Sequence, residues 1–425
     1  MIFTLLSIAQ AETPMQIHSW TLENNDTVIL VEDHRVPLAL VNTRFTIGSL
    51  TPWFEENHGD EAFEILYYDA EQDLAQRSNA LAASLSASCG TMVCKSALTL
   101  LKEDLDSGVQ LYKDLLNNTN IDLKELGRWK KSQKIDWESQ LKEPDFIGYR
   151  ALMAELYVDP TDARRQGYEK PDDVNEDVPT LNSTAQSIIQ KPGRIIGLAG
   201  DITKEEAVAI VEGLLPESND TVDGRTANMT KPRTVADGRP KTQVATMPNL
   251  TQVYFYYYRD GLAFNDPNFP AYRLANHVIG GHFYSRLYSA LRHEEGDTYG
   301  VSASSTAYPK DPGAYVVKTF TRTDNQKSVE DKLIAVLQKY SDEGMTAEEL
   351  EEAKSNMVGR RKRAQSSPMG VLGDLATNQL YGLPLDFDDI VVQQALELDL
   401  ETVNAFIKDF YNPEAYTMLK VVNEE

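Results

Sequence analysis

The sequence predicts an α+β protein of two homologous domains, each a mainly antiparallel sheet with helices on one face, together forming a clamshell. Three observations carry this. One order of elements runs twice along the chain, and matched segments lie about 220 residues apart, enough for each copy to be a domain. Between the copies, residues 215–249 are rich in Pro, Ser, Asn, Asp, Thr and Gly and keep no apolar period, as a linker does. The 425 residues are 41% hydrophobic and 25% charged, the composition of a packed chain rather than of a disordered, collagen-like or coiled-coil one. The expected division is residues 1–12 as a signal-peptide remnant, 13–215 as the first domain, 216–249 as linker and 250–425 as the second domain.

The first copy opens with two β-branched, apolar runs, at 27–33 and 38–47, read as a strand pair. A helix is expected over 59–76, then a hairpin from 81–88 and 95–100, and a long helix over 105–116. Asp122-Leu-Lys-Glu-Leu126 starts another helix. A helix at 183–190 and a strand at 194–198 close the copy, and Thr203 caps one more helix. The second copy repeats this with a strand at 253–258, a helix over 270–278, a hairpin at 300–307 and 314–321, and a long helix over 329–340. Thr346-Ala-Glu-Glu-Leu350 is the counterpart of 122–126, and residues 400–419 echo 183–198. Two such halves enclose a space, the default location of a site.

Lys and Arg number 41 against 65 Asp and Glu, a formal charge of −24. Such a chain repels nucleic-acid phosphate and anionic lipid, so neither is an expected partner, while an acidic chamber wall would favour basic peptides. No stretch approaches the ~20 apolar residues of a membrane span. The first residues form a short apolar run ending in Ala9-Gln10-Ala11, a small-x-small site without a basic n-region. Export to the periplasm or bacterial envelope is the favoured reading, over a frayed terminus. Cys89 and Cys94 flank the turn of the first hairpin. They read either as a cross-strand disulfide in an exported protein or as two reduced, small apolar residues.

The six histidines are His18, His34, His58, His277, His282 and His293, and no two stand at i, i+4. A catalytic zinc needs three protein ligands. The nearest approach is His58 with Glu61 and Glu64 on one helix face, against the plainer reading of a solvated acidic helix start. No G-x-S-x-G elbow, P-loop or G-x-G-x-x-G signature occurs. Arg360-Arg-Lys-Arg363 reads as a solvated basic face or a local partner for acids. The most distinctive stretch is Gly280-Gly-His-Phe-Tyr-Ser-Arg-Leu-Tyr-Ser-Ala-Leu-Arg292, then Gly296-Asp-Thr-Tyr299-Gly-Val. It reads as a Gly-Gly break, a helix ending near Glu295, a turn, and a strand starting at Tyr299. The turn would bring Arg292 and Tyr299 to one surface, where an Arg fork grips carbonyl or carboxylate oxygens and a Tyr hydroxyl donates to an oxyanion. The plainer reading pairs Arg292 with any nearby acid and places Tyr299 in the core.

That stretch, with the opening Thr27-Val-Ile-Leu-Val-Glu-Asp-His-Arg-Val-Pro-Leu, resembles the insulinase/pitrilysin-type metallopeptidases, the inverzincins, in their short two-domain bacterial form. The resemblance runs from about Ile17 to Val422 and includes the duplication. It implies that H-x-x-E-H would sit on the helix at 59–76. Aligned on Ile65-Leu66-Tyr67, that window reads Asp60-Glu61-Ala62-Phe63-Glu64, with both histidines missing. The family's further carboxylate ligand would fall near Asp136 or Glu138. The family's Arg/Tyr pair is present as Arg292 and Tyr299.

Some bacterial members work as two chains, one with H-x-x-E-H and one with the Arg/Tyr pair. The resemblance therefore implies a subunit that binds no zinc itself and carries no cofactor, inactive alone, and completing a heterodimeric peptidase with a zinc-bearing H-x-x-E-H partner. Arg292 would hold the peptide substrate and Tyr299 would stabilise the oxyanion. Gly280 and Gly281 would be a substrate-contacting lip or a helix-terminating pair. The alternative is a non-catalytic scaffold or assembly protein of the same fold. A third reading is a degenerate metal enzyme built on His58, Glu61 and Glu64.

Overall fold

Four consecutive residues, Val28–Val31, have no exposed surface, so the strand that carries them is covered on both faces. The computed structural model describes residues 15–48, 51–68, 73–118, 123–157, 159, 162–166, 178–219, 242–293, 298–306, 308 and 311–424. The proposed signal-peptide remnant, most of the expected linker, Asp122 and the expected helix end near Glu295 lie outside the described residues.

The described chain is α+β, with two sheets and two compact units. In the first unit six strands, β1 (Gln16–Thr21), β2 (Thr27–Glu32), β3 (Leu38–Phe45), β4 (Ser84–Cys89), β5 (Cys94–Leu101) and β6 (Ile195–Gly200), form one sheet in the order β1-β2-β6-β3-β5-β4. Only β2 and β6 pair in parallel. In the second unit β7 (Thr242–Met247), β8 (Gln252–Asp260), β9 (Val301–Thr306), β10 (Ala314–Arg322) and β11 (Thr417–Asn423) form the order β7-β11-β8-β10-β9, with β7 and β11 parallel. The second order repeats that of β2-β6-β3-β5-β4, so the duplication holds strand by strand, and β1 is the one strand without a counterpart among the described residues.

The compact units are not the contiguous halves expected from the sequence. Residues 1–126, 176–226 and 364–380 cluster as one unit, and 127–175, 227–363 and 381–425 as the other. Each half therefore lends a segment to the other half's sheet. Helix Pro144–Leu156 buries Leu152, Met153 and Leu156 against Tyr256 and Tyr258 of β8, Val316 of β10 and Leu419 and Val421 of β11. Each such side chain contributes about 1.5–3 kcal/mol by leaving water. On the opposite face of the same strands Val253, Phe255, Tyr257, Tyr315, Val317 and Met418 pack with helices Phe269–Gly280, Gln326–Glu343 and Leu400–Phe410. Helices thus cover both faces of this sheet, not one. In the first unit helix Pro368–Leu380 packs on β2 and β6. Gly197 there has Leu372 where a Cβ would stand, about 3.0 Å away.

Polar side chains tie the lent segments down. Arg164 is 4% exposed and forms a two-pronged pair with Asp162, Nε to Oδ1 at 2.9 Å and Nη2 to Oδ2 at 2.6 Å. It also bonds Asp311, itself 2% exposed, before β10. Lys318 pairs with Asp145, which accepts from the Tyr256 hydroxyl at 2.9 Å.

Two further expectations are corrected. The helix expected over 59–76 is broken. It runs over Gly59–Glu64, tightens to a 3₁₀ turn at Ile65–Tyr68, and a separate helix occupies Leu74–Ala80. His58 and Asp73, at φ 51° and 50°, are left-handed residues before each helix, which a continuous helix does not contain. The expected linker holds β7, whose alternate residues are exposed. By contrast helix Leu105–Leu116 spans the residues expected, with Leu105, Val109, Tyr112 and Leu116 on its buried stripe. Thr203 and Glu206 form a reciprocal capping box on helix Lys204–Val211.

Candidate functional site

Helix Phe269–Gly280 delivers the chain to the site. Gly280 and Gly281 end it, and neither lies in the left-handed region; Gly281 has φ −83°. Their use is close approach. A Cβ on Gly280 would stand 2.4 Å from the Ala303 Cβ of β9, and one on Gly281 would stand 2.7 Å from the His277 Cα. Beyond them the His282 ring stacks on His277 at 4.4 Å. Burial, with His282 and Arg360 nearby, lowers the His277 pKa to about 4, so its imidazole is neutral at physiological pH.

The chain then makes one turn of helix, Arg286–Tyr288, and widens into a π-helix over Ser289–His293. Leu287 and Leu291 are fully buried and anchor this turn. A π-turn rotates the residues after it relative to an α-helix, and such turns cluster at functional sites. Here it presents Arg292, whose guanidinium carbon lies 5.0 Å from the centre of the Tyr299 ring, 5.1 Å from Tyr288 and 5.2 Å from Phe283. Cation–π contacts of this kind hold a partly exposed Arg by roughly 0.5–1 kcal/mol each.

Tyr299 lies two residues before β9 rather than at its start, and is 76% exposed, so it is no core residue. Sequence reasoning missed what places it, Thr298. This residue is 5% exposed. Its hydroxyl donates to Phe320 O at 2.6 Å, accepts from Gly300 N–H at 3.3 Å and lies 3.0 Å from the Thr319 hydroxyl. Its N–H donates to Leu291 O at 3.3 Å, tying the Tyr299 segment to the π-turn. A Thr directly before the Tyr was the only local signal. The structure thus brings Arg292 and Tyr299 together, with Phe283 (47% exposed) and Tyr284 (75%) beside them. The surface can offer a cation to a carbonyl or carboxylate and a phenol hydroxyl to developing negative charge.

The window aligned with H-x-x-E-H lies in the first unit. Asp60, Glu61 and Glu64 are half-buried on helix Gly59–Glu64, and each is engaged by another group of the chain. The motif's glutamate position falls on Phe63, which is fully buried and meets Phe45 edge-to-face at 5.3 Å. Zinc does not fit here, since carboxylates replace both histidines and an aromatic core residue replaces the base. Among the described residues no three His, Cys, Asp or Glu are grouped to hold a metal. Asp136 and Glu138 are exposed on helix Leu123–Gln140. Cys89 and Cys94 face each other in register across β4 and β5, and the structure joins them in a disulfide. Arg361 of the basic run pairs with Asp389 through two 2.8 Å bonds. No helix among the described residues is long and apolar enough to cross a membrane.

Residues 184–357, which hold Arg292 and Tyr299, match the family model described as "Peptidase M16 inactive domain". Those residues are thus similar to an M16-type domain, and no H-x-x-E-H occurs anywhere in the sequence. The chain is 21% identical over 392 residues to the "Non-peptidase homolog YmxG" of Helicobacter pylori (strain ATCC 700392 / 26695), covering 90% of this chain and 88% of that one. The M16-type fold extends over nearly all of it. A crystal structure of a peptidase M16 inactive domain from Pseudomonas fluorescens superposes with a TM-score of 0.79 at 21% identity, covering 96% of this chain and 99% of that one. The periplasmic protease PqqL of Escherichia coli gives a TM-score of 0.72 at 14% identity, over 97% of this chain and 46% of that one.

Proposed function

We propose that this chain is the zinc-free subunit of a heteromeric, exported zinc metallopeptidase, lending Arg292 and Tyr299 to a partner that carries H-x-x-E-H. One observation carries the reading. The Arg/Tyr pair is assembled and open, with the guanidinium 5.0 Å from a Tyr ring that is 76% exposed, in a chain whose zinc window is filled by carboxylates and a core phenylalanine. Arg292 grips an oxygen of the bound peptide, and its three-ring cage keeps the side chain from wandering. Tyr299 donates its hydroxyl hydrogen to the oxyanion of the tetrahedral intermediate. Losing one such donor typically costs ~10²–10³ in rate, so a chain without metal can be indispensable.

The test is reconstitution. The pure chain is expected to hydrolyse no peptide, and the mixture with an H-x-x-E-H homologue from the same genome to be active. Tyr299→Phe should lower kcat of the mixture by ~10²-fold with assembly intact, and Arg292→Ala should act mainly on KM. Unchanged cleavage with both residues replaced would refute the proposal. The second reading, a scaffold without any catalytic part, is favoured by the name of the Helicobacter relative, a non-peptidase homolog. It predicts that no partner confers activity and that both substitutions leave assembly and function intact.

A further inference from the structure

The first unit holds a cleft of about 430 Å³, within the ~300–1,000 Å³ range of small-molecule sites. Trp53 and Asn57 line one side. Thr180, Ser183, Thr184 and Ser187 line the other, at the i, i+3, i+4, i+7 spacing of one face of helix Val178–Gln190. In a chain of formal charge −24, no charged side chain lines it among the described residues. We propose that this cleft is a binding site for an uncharged saccharide of one or two rings, stacked on Trp53 and hydrogen-bonded by Asn57, Ser183 and Thr184.

The chemistry of the lining selects the ligand. An ionic ligand would shed hydration and find no counter-charge, which disfavours it by several kcal/mol. A peptide main chain is best matched by a free strand edge, with its row of N–H and C=O groups, whereas the flank of a helix has those groups already bonded. Hydroxyls donate and accept at once, as sugar hydroxyls do. The indole supplies an electron-rich face for the C–H face of a pyranose ring. Unfilled bonding capacity is present at each polar position used. Thr184 is 4% exposed, yet its hydroxyl has no protein partner among the described residues, nor has that of Ser183. The Asn57 amide donates to Trp53 O at 2.7 Å, which fixes its plane and leaves Oδ1 to accept.

Calorimetric titration of the full chain with cellobiose, N,N′-diacetylchitobiose and maltose tests this. At least one is expected to bind with a Kd below ~10 mM, about −2.7 kcal/mol or better. Trp53→Ala should abolish that binding, Thr184→Val, nearly isosteric, should weaken it at least fivefold, and Trp53→Phe should keep part of it. Ser183 is exposed, so Ser183→Ala is the variant that cannot be blamed on unfolding, and it too should weaken binding. Circular dichroism checks the fold of each. The proposal is overturned if no saccharide binds, if binding survives both Trp53→Ala and Ser183→Ala, or if inorganic phosphate or a neutral tetrapeptide occupies the cleft while the sugars do not.

Discussion

Arg164→Ala should loosen the lent segment 127–175 from the second sheet. Arg164, Asp162 and Asp311 are 4%, 5% and 2% exposed as side chains, so water screens none of them. The guanidinium makes two bonds to Asp162, one to Asp311, and lies 4.3 Å over the Tyr157 ring. Truncation removes three charge-assisted bonds and leaves two buried carboxylates without the guanidinium that bridges them. Breaking one partner out of such a pair costs about 3–5 kcal/mol. For a unit of this size that is roughly 6–20 °C in melting temperature. Urea unfolding followed by circular dichroism measures the loss, and hydrogen exchange locates it, with helix Pro144–Leu156 and the start of β10 expected to lose protection. A loss below about 1 kcal/mol, or unchanged protection of that helix, would show that the segment is held by its apolar face alone.

Gly280→Ala should destabilise the second unit by about 1–3 kcal/mol, because its Cβ would press on Ala303 at 2.4 Å; Gly300→Ala, with nothing within 4 Å, is the neutral control in the same melting assay. His277 should titrate near pH 4 in an NMR titration of its ring proton, against 6.5 for a free imidazole. Its folded-state value is depressed, so the stability it contributes is complete above about 6.5 and is lost as pH falls toward 4, and a midpoint near 6.5 would contradict the burial argument.

Local periodicity made most strands and helix Leu105–Leu116 legible, because neighbours in the chain decide them. β7 escaped because it is an edge strand with alternate residues exposed, Thr-Gln-Val-Ala-Thr-Met, too polar to register as an apolar run. The repeat itself could have found it, since Thr27 of β2 and Thr242 of β7 are separated by about the same distance as the other matched segments. The exchange of segments 127–175 and 364–380 had no sequence signal, because an amphipathic helix shows that it has a buried face but not which sheet meets it. The same limit applied at the site. The motif located Arg292 and Tyr299, but the aromatic cage and the hold of Thr298 on Phe320 join residues far apart in sequence.

The two units treat their motif-bearing segments differently, and the difference bears on function. In the first, regaining H-x-x-E-H would take Asp60→His, Phe63→Glu and Glu64→His together. The middle change would set a carboxylate where a fully buried ring meets Phe45, losing the several kcal/mol typical of a truncated core phenylalanine and adding the desolvation of a charge. Zinc chemistry there would require a rebuilt core, not exchanged ligands. In the second, Arg292 is half-buried against three rings and Tyr299 is 76% exposed, rather than set in a core. Thr298 spends its hydroxyl on fixing an exposed tyrosine, and fixing an exposed side chain lowers the entropy lost when it engages a ligand. Such preorganisation is what a surface needs if it engages a ligand through Tyr299.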